Sequence, residues 1–181
     1  MLPTILGGLA AAIAAILVIA ALKPPRFRIE RSTVIDAPPT QVFPHVADFH
    51  KWRTWSPWDD LDPNLQRTFS GAESGKGAVY EWSGNKKAGS GRMEVTEARP
   101  ERIVIQLDFL TPFAAHNITE IDLKERGGVT EVVWAMHGPQ PFMFKLMRVF
   151  MNMDEMVGKD FQKGLAQLKA VVEGRGAAAV R

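Results

Sequence analysis

The first 22 residues of the chain carry no charged side chain, and this apolar segment constrains the architecture of everything that follows. Residues 5–22 read ILGGLAAAIAAILVIAAL, which is long enough for a single helix of 18 residues. At a rise of about 1.5 Å per residue, such a helix is roughly 27 Å long, close to the ~30 Å hydrocarbon core of a bilayer. Four basic residues follow within nine positions, namely Lys23, Arg26, Arg28 and Arg31. The segment predicts an N-terminal membrane helix joined to a domain of ordinary soluble composition.

Two interpretations of this segment stay open. A cleaved signal peptide normally begins with a basic region, whereas only the α-amino group precedes the apolar run here. An uncleaved single-pass anchor needs only length and flanking charge, and both are present. Because the basic residues follow the helix, the positive-inside rule predicts that the domain lies on the cytoplasmic side. We therefore expect a membrane-anchored protein in which residues 1–25 form the anchor and a short proline linker.

The composition excludes several classes of function. The chain has no cysteine, so disulfides, thiolate metal ligands and cysteine nucleophiles are ruled out. The formal net charge is only +2 and long basic runs are absent, so we expect no nucleic-acid partner. The four histidines are scattered without the spacing of a metal motif, and we expect neither a metal site nor a cofactor.

Glycine and proline divide the middle of the chain into short β-rich segments that are typical of an antiparallel meander. Residues 27–35 predict a first strand, and residues 40–49 predict a short helix after Pro39. Six further strands are predicted at residues 65–70, 78–83, 91–97, 102–109, 115–125 and 130–137. From residue 142 to residue 172 apolar side chains recur every three to five positions, which predicts a long amphipathic helix with a bend near residues 152–154.

An antiparallel sheet with one apolar face must bury that face, and the terminal helix is the largest element available to cover it. The predicted fold class is α+β, with a curved sheet of about seven strands wrapped around a long C-terminal helix. A strongly curved sheet around one helix leaves a cavity between them. The predicted organisation is an anchor over residues 1–25, one domain over residues 26–173 and a flexible tail over residues 174–181.

Four stretches of the sequence resemble the START/Bet v 1-like superfamily, which includes the SRPBCC and polyketide cyclase-like proteins. They are IDAPPTQVFPHVADFHKWRTWSPW, NITEIDL, GGVTEVVWAM and MVGKDFQKGLAQLK. The resemblance covers nearly all of the predicted domain and implies the helix-grip fold. Members include lipid and hormone carriers, polyketide cyclases, quinone-associated proteins and chaperone regulators. Because no single set of catalytic residues is common to them, the resemblance assigns no catalytic residue here.

Alternation along the strands predicts which side chains line the cavity. The inferred interior is apolar and aromatic, and its few polar groups belong to Tyr80, Asn117, Thr119 and the indoles of Trp82 and Trp134. The complete set of predicted ligand-binding residues is Tyr80, Trp82, Met93, Ile105, Leu107, Phe109, Asn117, Thr119, Trp134, Met136, Met153, Met156 and Phe161. No carboxylate, histidine, lysine or arginine side chain falls on the predicted inward face of the sheet, so we expect no catalytic residue. The same pattern is also that of a plain hydrophobic core.

The segment after the first predicted helix carries three tryptophans, Trp52, Trp55 and Trp58, at three-residue spacing. One interpretation is that they pack under the helical cap and set its angle on the sheet. The other is that one or two of them line the mouth of the cavity or lie at the bilayer interface, where indoles are favoured.

These observations together predict a membrane-tethered protein that binds a hydrophobic small molecule, such as a lipid, an isoprenoid or a quinone-like compound. One alternative is a polyketide cyclase- or dehydratase-like enzyme, which would require an ionisable side chain in the cavity. The other alternative is a non-catalytic, membrane-linked interaction or regulatory module, which would require a solid interior and an exposed apolar patch.

Overall fold

The computed structural model describes residues 2–59 and 61–174 of the chain. Its strands are β1 (Arg26–Ile35), β2 (Gln66–Gly71), β3 (Ala78–Ser83), β4 (Ser90–Arg99), β5 (Arg102–Thr111), β6 (Ala115–Arg126) and β7 (Val129–Pro139). Its helices are α1 (Leu2–Leu22), α2 (Pro39–Ala47), α3 (Phe49–Trp52), α4 (Phe142–Phe150) and α5 (Met153–Val172). The strands form one antiparallel sheet in the order β1-β7-β6-β5-β4-β3-β2. The helix-grip architecture that the sequence predicted is confirmed.

Both predicted helical segments are divided in the structure. The helix expected over residues 40–49 is α2 followed by α3, because Asp48 between them is extended and its side chain caps α3 by accepting a hydrogen bond from the His50 N–H. The closing helix is likewise two helices, α4 and α5, because Met151 is extended. Asn152 then caps α5 by accepting a hydrogen bond from the Glu155 N–H at 3.2 Å. The predicted bend is therefore a complete break.

Helix α5 packs across β1 and β7 and covers the inward face of the sheet. At one end of this layer the interior is solid. Its largest fully buried side chains there include Val95, Ile103, Ile121, Leu165 and Leu168. These residues come from β4, β5, β6 and α5, so the sheet and the helix share one hydrophobic core at that end.

Helix α1 lies beside the domain and packs against α4. Most of its side chains are exposed, whereas Ile16 is half-buried and Ala20 is fully buried near its C-terminal end. Among the described residues, the segment Thr4–Leu22 is the one helix long and apolar enough to cross a membrane. The tail predicted for residues 174–181 lies outside the described residues except for Gly174.

Candidate functional site

A cavity of about 370 Å³ lies between the sheet and α5. This volume lies at the lower end of the ~300–1,000 Å³ typical of small-molecule sites. Most of the wall is apolar or aromatic, and it comes from the sheet, α5, α3 and the loops beside them. The lining residues are Trp52, Ser56, Pro57, Trp58, Asp59, Leu61, Leu65, Tyr80, Trp82, Lys87, Ala88, Met93, Leu107, Phe109, Thr119, Trp134, Met136, Val157, Asp160 and Phe161.

The inward face of each central strand is divided between this cavity and the solid core. On β5 the side chains of Leu107 and Phe109 line the cavity, whereas Ile103 is completely buried in the core. The same division occurs on α5, where Phe161 lines the cavity and Leu165 lies in the core. The hollow is therefore restricted to the end of the domain at which β5 finishes and α5 begins.

Nine of the thirteen predicted ligand-binding residues line the cavity, and four do not. Ile105 has no exposed surface and belongs to the solid core. Asn117 is buried, but its side chain lies against Gly138 of the neighbouring strand instead of facing the hollow. Met153 and Met156 lie outside the lining, because the turn of α5 directs Val157 inward and leaves Met156 exposed to solvent. The structure therefore does not place these two predicted residues in the cavity wall.

The three tryptophans divide between packing under the helices and lining the cavity. Trp52 and Trp58 line the cavity, and the Trp52 indole donates a hydrogen bond to the Val46 carbonyl at 3.1 Å. Trp55 is almost fully buried, and its indole donates a hydrogen bond to the His45 carbonyl at 3.0 Å. The first and third tryptophans thus form part of the wall, while the middle one fixes α2 and α3 on the sheet.

Trp82 offers less to a ligand than the sequence predicted. Its indole N–H donates a hydrogen bond to the Ala88 carbonyl at 3.1 Å, so this donor is already used within the protein. Its ring lies over Gly91 on β4, where a Cβ atom would overlap the indole. The Trp134 indole N–H, by contrast, is buried and has no hydrogen-bond acceptor among the residues that the structure describes.

Tyr80 remains a neutral phenol in the cavity wall. Burial raises the pKa of Tyr80 to about 12, and the nearby Asp59 carboxylate acts in the same direction. Asp59 also lines the cavity but is paired with Arg67, whose Nε donates a hydrogen bond to Asp59 Oδ1 at 2.8 Å. Tyr80 can therefore donate a proton in a hydrogen bond to a ligand, but it does not ionise at neutral pH.

The described lining residues from the sheet include no carboxylate, histidine, lysine or arginine, but the cavity wall as a whole contains such groups. Asp160 lines the cavity from α5, and its pKa is raised because burial disfavours the charged carboxylate. Lys87 contributes from the turn between β3 and β4, where its side chain is exposed. Strand alternation could not locate these groups, but the helical spacing Val157, Asp160, Phe161, Gly164 was a usable signal for Asp160.

Comparison with known proteins agrees with this architecture. A family model described as "Polyketide cyclase / dehydrase and lipid transport" matches residues 26–173. A comparison with curated proteins found no match.

Similar solved structures share the fold over most of the domain. A protein of Chromobacterium violaceum is 21% identical with a TM-score of 0.56, and the match covers 83% of this chain and 99% of that one. A protein of Staphylococcus epidermidis is 16% identical with a TM-score of 0.59, covering 88% and 96% respectively. Ara h 8.0201 is 13% identical with a TM-score of 0.52, covering 82% and 99%. At such identities these structures establish the fold alone.

Proposed function

We propose that this chain, which belongs to the polyketide cyclase / dehydrase and lipid transport family, is a membrane-tethered protein that binds a hydrophobic small molecule. The observation that carries the proposal is the cavity of about 370 Å³ with its largely apolar and aromatic wall. The interaction-module alternative requires a solid interior, and the cavity therefore counts against it. A lipid, an isoprenoid or a quinone-like compound has the matching chemistry.

The polar groups of the wall limit the ligand further. Thr119 and Tyr80 present hydroxyl groups from the sheet, to which Trp134 also contributes its indole, and the carboxylate, lysine and serine side chains lie toward the helix and the loops. An apolar body is therefore favoured next to the strands, with one or two oxygen atoms that accept hydrogen bonds from these hydroxyls. A ligand covered with polar groups would lose hydrogen bonds to water without replacing them.

The anchor gives this binding activity a location. Helix α1 carries 19 consecutive residues suited to a bilayer, from Thr4 to Leu22. A water-insoluble ligand is concentrated in membranes, so a cavity held beside the bilayer meets it at a higher effective concentration than a free one. The proposal thus assigns α1 the role of an uncleaved anchor, with the domain on the cytoplasmic side.

The experiment is a binding titration of the full chain in lipid nanodiscs with the neutral fluorophore N-phenyl-1-naphthylamine. Trp52, Trp58, Trp82 and Trp134 line the cavity, so energy transfer from tryptophan reports probe that is bound there. We expect saturable transfer with one probe per chain, above the signal of empty nanodiscs. Native mass spectrometry of the purified chain should also detect a co-purified apolar molecule. Absence of both signals would disprove the binding function.

Two adjacent residues of α5 give a matched control. Val157→Trp places an indole in the cavity, whereas Met156→Trp places the same group on the exposed side of the same helical turn. We expect the first variant to weaken probe binding by at least about tenfold, or about 1.4 kcal/mol, and the second to leave it unchanged. Equal effects from the two variants would show that the probe binds elsewhere.

Asp160 favours a second candidate function, an enzyme that acts on a polyketide-like substrate. A carboxyl group in an apolar cavity with a raised pKa is suited to act as a general acid or base. The test is hydrogen–deuterium exchange at the carbon between the two carbonyls of benzoylacetone, measured by NMR. Acceleration by the wild-type chain that disappears in Asp160→Asn would support the enzyme, and unaccelerated exchange would exclude this chemistry for that substrate.

A further inference from the structure

The antiparallel order of the sheet brings the start of β1, the β3–β4 turn, the β5–β6 turn and the end of β7 to the same end of the domain. The segments concerned are residues 23–26, 84–89, 111–114 and 139–152, the last of which includes α4. Together they carry six basic and no acidic residues, namely Lys23, Arg26, Lys86, Lys87, Lys145 and Arg148. These four segments are therefore cationic, while the neighbouring Asp154 and Glu155 at the start of α5 pair with Arg31 and Lys159.

The loop before β2 also reaches this end, and two of its acidic residues, Asp59 and Asp62, are engaged within the protein. Asp59 is paired with Arg67, with an Arg67 Nη2 to Asp59 Oδ1 distance of 2.6 Å. Asp62 is buried and accepts hydrogen bonds from the backbone N–H groups of Asn64 and Asn85, at 2.9 and 2.6 Å. Both carboxylates are thus occupied by partners other than the six basic residues of these segments.

The same end exposes large apolar side chains that a soluble surface normally hides. We call this set the exposed apolar surface; it comprises Leu110, Phe113, Phe142, Met143 and Phe150, which are between 48% and 71% exposed. The β5–β6 turn and α4 adjoin here, because the ring of Phe113 in the turn meets the ring of Phe144 in α4 edge-on, with the ring centroids 6.5 Å apart. Clusters of exposed apolar residues of this kind mark an interaction site.

The contact between α1 and α4 indicates what covers this surface. The contact lies on the last two turns of α1, because Ile16 is half-buried and Ala20 is buried there. At about 1.5 Å per residue, Ile16 lies roughly 9 Å and Ala20 roughly 3 Å from Leu22, where the apolar segment ends. A bilayer that contains this segment would therefore have α4 within its outer ~5–10 Å, the depth at which interfacial amphipathic helices lie.

The cavity opens close to this surface. Phe109 lines the cavity, and its neighbour Leu110 is exposed because successive side chains of β5 point to opposite faces. Lys87 in the β3–β4 turn is both exposed and part of the cavity wall. The exposed apolar surface and the cavity entrance therefore lie at the same end of the domain.

We propose that α4 and the β5–β6 turn insert into the interface of the leaflet that α1 enters, and that they hold the cavity entrance against the bilayer. Hydrophobic ligands then pass between the membrane and the cavity without crossing water. The six lysines and arginines of the four segments favour anionic lipid headgroups around the inserted residues. This inference rests on the proposed function for its anchor and its cavity, and it adds a second, monotopic contact with the membrane.

The absence of native cysteine allows a direct test on the full chain. Single-cysteine variants at Phe113, Met143, Ile13 and Glu125 are labelled with an environment-sensitive nitrobenzoxadiazole and reconstituted into phosphatidylcholine vesicles containing some phosphatidylglycerol. Aqueous iodide and doxyl-labelled lipid serve as the two quenchers. Ile13 reports on the anchor, and Glu125, at the opposite end of the sheet, reports on a position remote from the membrane.

We expect the labels at Phe113 and Met143 to lose quenching by iodide and to gain quenching by doxyl lipid, as at Ile13, while the Glu125 label behaves oppositely. A lipid-buried label at Ile13 with water-exposed labels at Phe113 and Met143 would overturn the interfacial insertion but leave the proposed anchor standing. Protection from both quenchers would show that a protein, such as a second copy of the chain, covers the surface, and would also overturn the inference. A label at Ile13 that iodide still quenches would disprove the anchor itself.

Discussion

The rings of Trp134 and Phe161 are stacked, with their centroids 4.4 Å apart and their planes within 4° of parallel. Trp134 belongs to β7 and Phe161 to α5, so the contact joins the sheet to the helix that covers it. Both side chains are almost fully buried, and both also form part of the cavity wall. This pair therefore contributes to the stability of the fold and to the shape of the site.

Replacing Phe161 should show the first of these roles. Phe161→Ala removes the stacked ring and enlarges a cavity that the protein cannot fully collapse, so we expect a loss of about 3–5 kcal/mol in the free energy of unfolding. The measurement is chemical denaturation of the detergent-solubilised chain followed by circular dichroism. Phe150→Ala, at a residue that is 71% exposed, is the control and should change stability by less than about 0.5 kcal/mol. Similar losses in the two variants would contradict the stacking role.

Gly164 of α5 supports the same contact by having no side chain. A Cβ atom there would lie 2.8 Å from Trp134 Cζ3 and 3.0 Å from Pro57 Cδ. In a helix interior, Gly→Ala normally stabilises by about 1 kcal/mol. Here we expect Gly164→Ala to destabilise by about 1–3 kcal/mol, because the indole and the proline ring must move. The measurement is again the free energy of unfolding, and a stabilised variant would contradict the close packing.

Gly158 of the same helix is the matched control. A Cβ atom there would meet only the end of the Arg31 side chain, which is flexible and can move away. That movement would sacrifice the ion pair between Arg31 Nη2 and Asp154 Oδ2 at 2.9 Å, a partly exposed contact of small value. The gain in helix propensity offsets this loss, so Gly158→Ala should be nearly neutral.

Glu120 should make the stability of the sheet depend on pH. It accepts hydrogen bonds from Arg28 at 3.0 Å and from Arg102 at 2.6 Å. Partial burial acts to raise the pKa of Glu120, but the Arg28 hydrogen bond and the Arg102 charge outweigh it and hold the pKa below the ordinary value. A lowered pKa means that the stabilisation is present above the ordinary carboxyl pKa and is lost as the pH falls through the lowered value.

Glu120→Gln tests this prediction. At pH 7 we expect a loss of about 1 kcal/mol, kept small because both arginines are partly exposed. The difference from wild type should disappear in acid, where the wild-type carboxylate is also neutral. Thermal unfolding across a pH series measures it, with the exposed Glu81→Gln as the control. A difference that persists unchanged at low pH would show that charge is not the cause.

Asp160 should make ligand binding depend on pH in the opposite sense. Because its pKa is raised, the carboxyl group becomes neutral as the pH falls through a value above the ordinary 3.8. A neutral wall costs less to desolvate against an apolar ligand, so affinity for N-phenyl-1-naphthylamine should rise severalfold on acidification. Asp160→Asn should bind the probe as the acidified wild type does and should show no such pH dependence. A wild-type affinity that is independent of pH would show that Asp160 does not contact the bound probe.

Much of the architecture could be predicted because it depends on local patterns. The punctuation by glycine and proline located the strands to within a few residues, and alternation assigned Leu107, Phe109, Trp134 and Met136 to the side that faces the hollow. The apolar N-terminal segment could be recognised because 18 consecutive apolar residues are typical of a membrane helix, a signal sequence or a core helix, and α1 is mostly exposed. Whether it is retained in a bilayer stays a prediction.

The errors have a common physical origin. Alternation indicated which face of β5 carries Ile105. It could not tell that this side chain is packed in the hydrophobic core, together with Leu165, instead of facing empty space. The extended Met151 ends α4, and α5 starts anew after Asn152, so the apolar pattern over residues 142–172 could not tell which side chains of α5 line the cavity: Asp160 does, whereas Met156 is exposed. Both outcomes depend on how side chains from separate elements fill a shared volume.

Periodicity and turn chemistry were sufficient for the fold class, the sheet face that is buried and the apolar N-terminal helix, since each arises from residues close in the chain. The position of the cavity along that face, the entry of Asp160 into its wall and the placement of α4 beside Ala20 emerged only from three-dimensional packing. The reason is that a void is the volume left between elements, and no single segment encodes it.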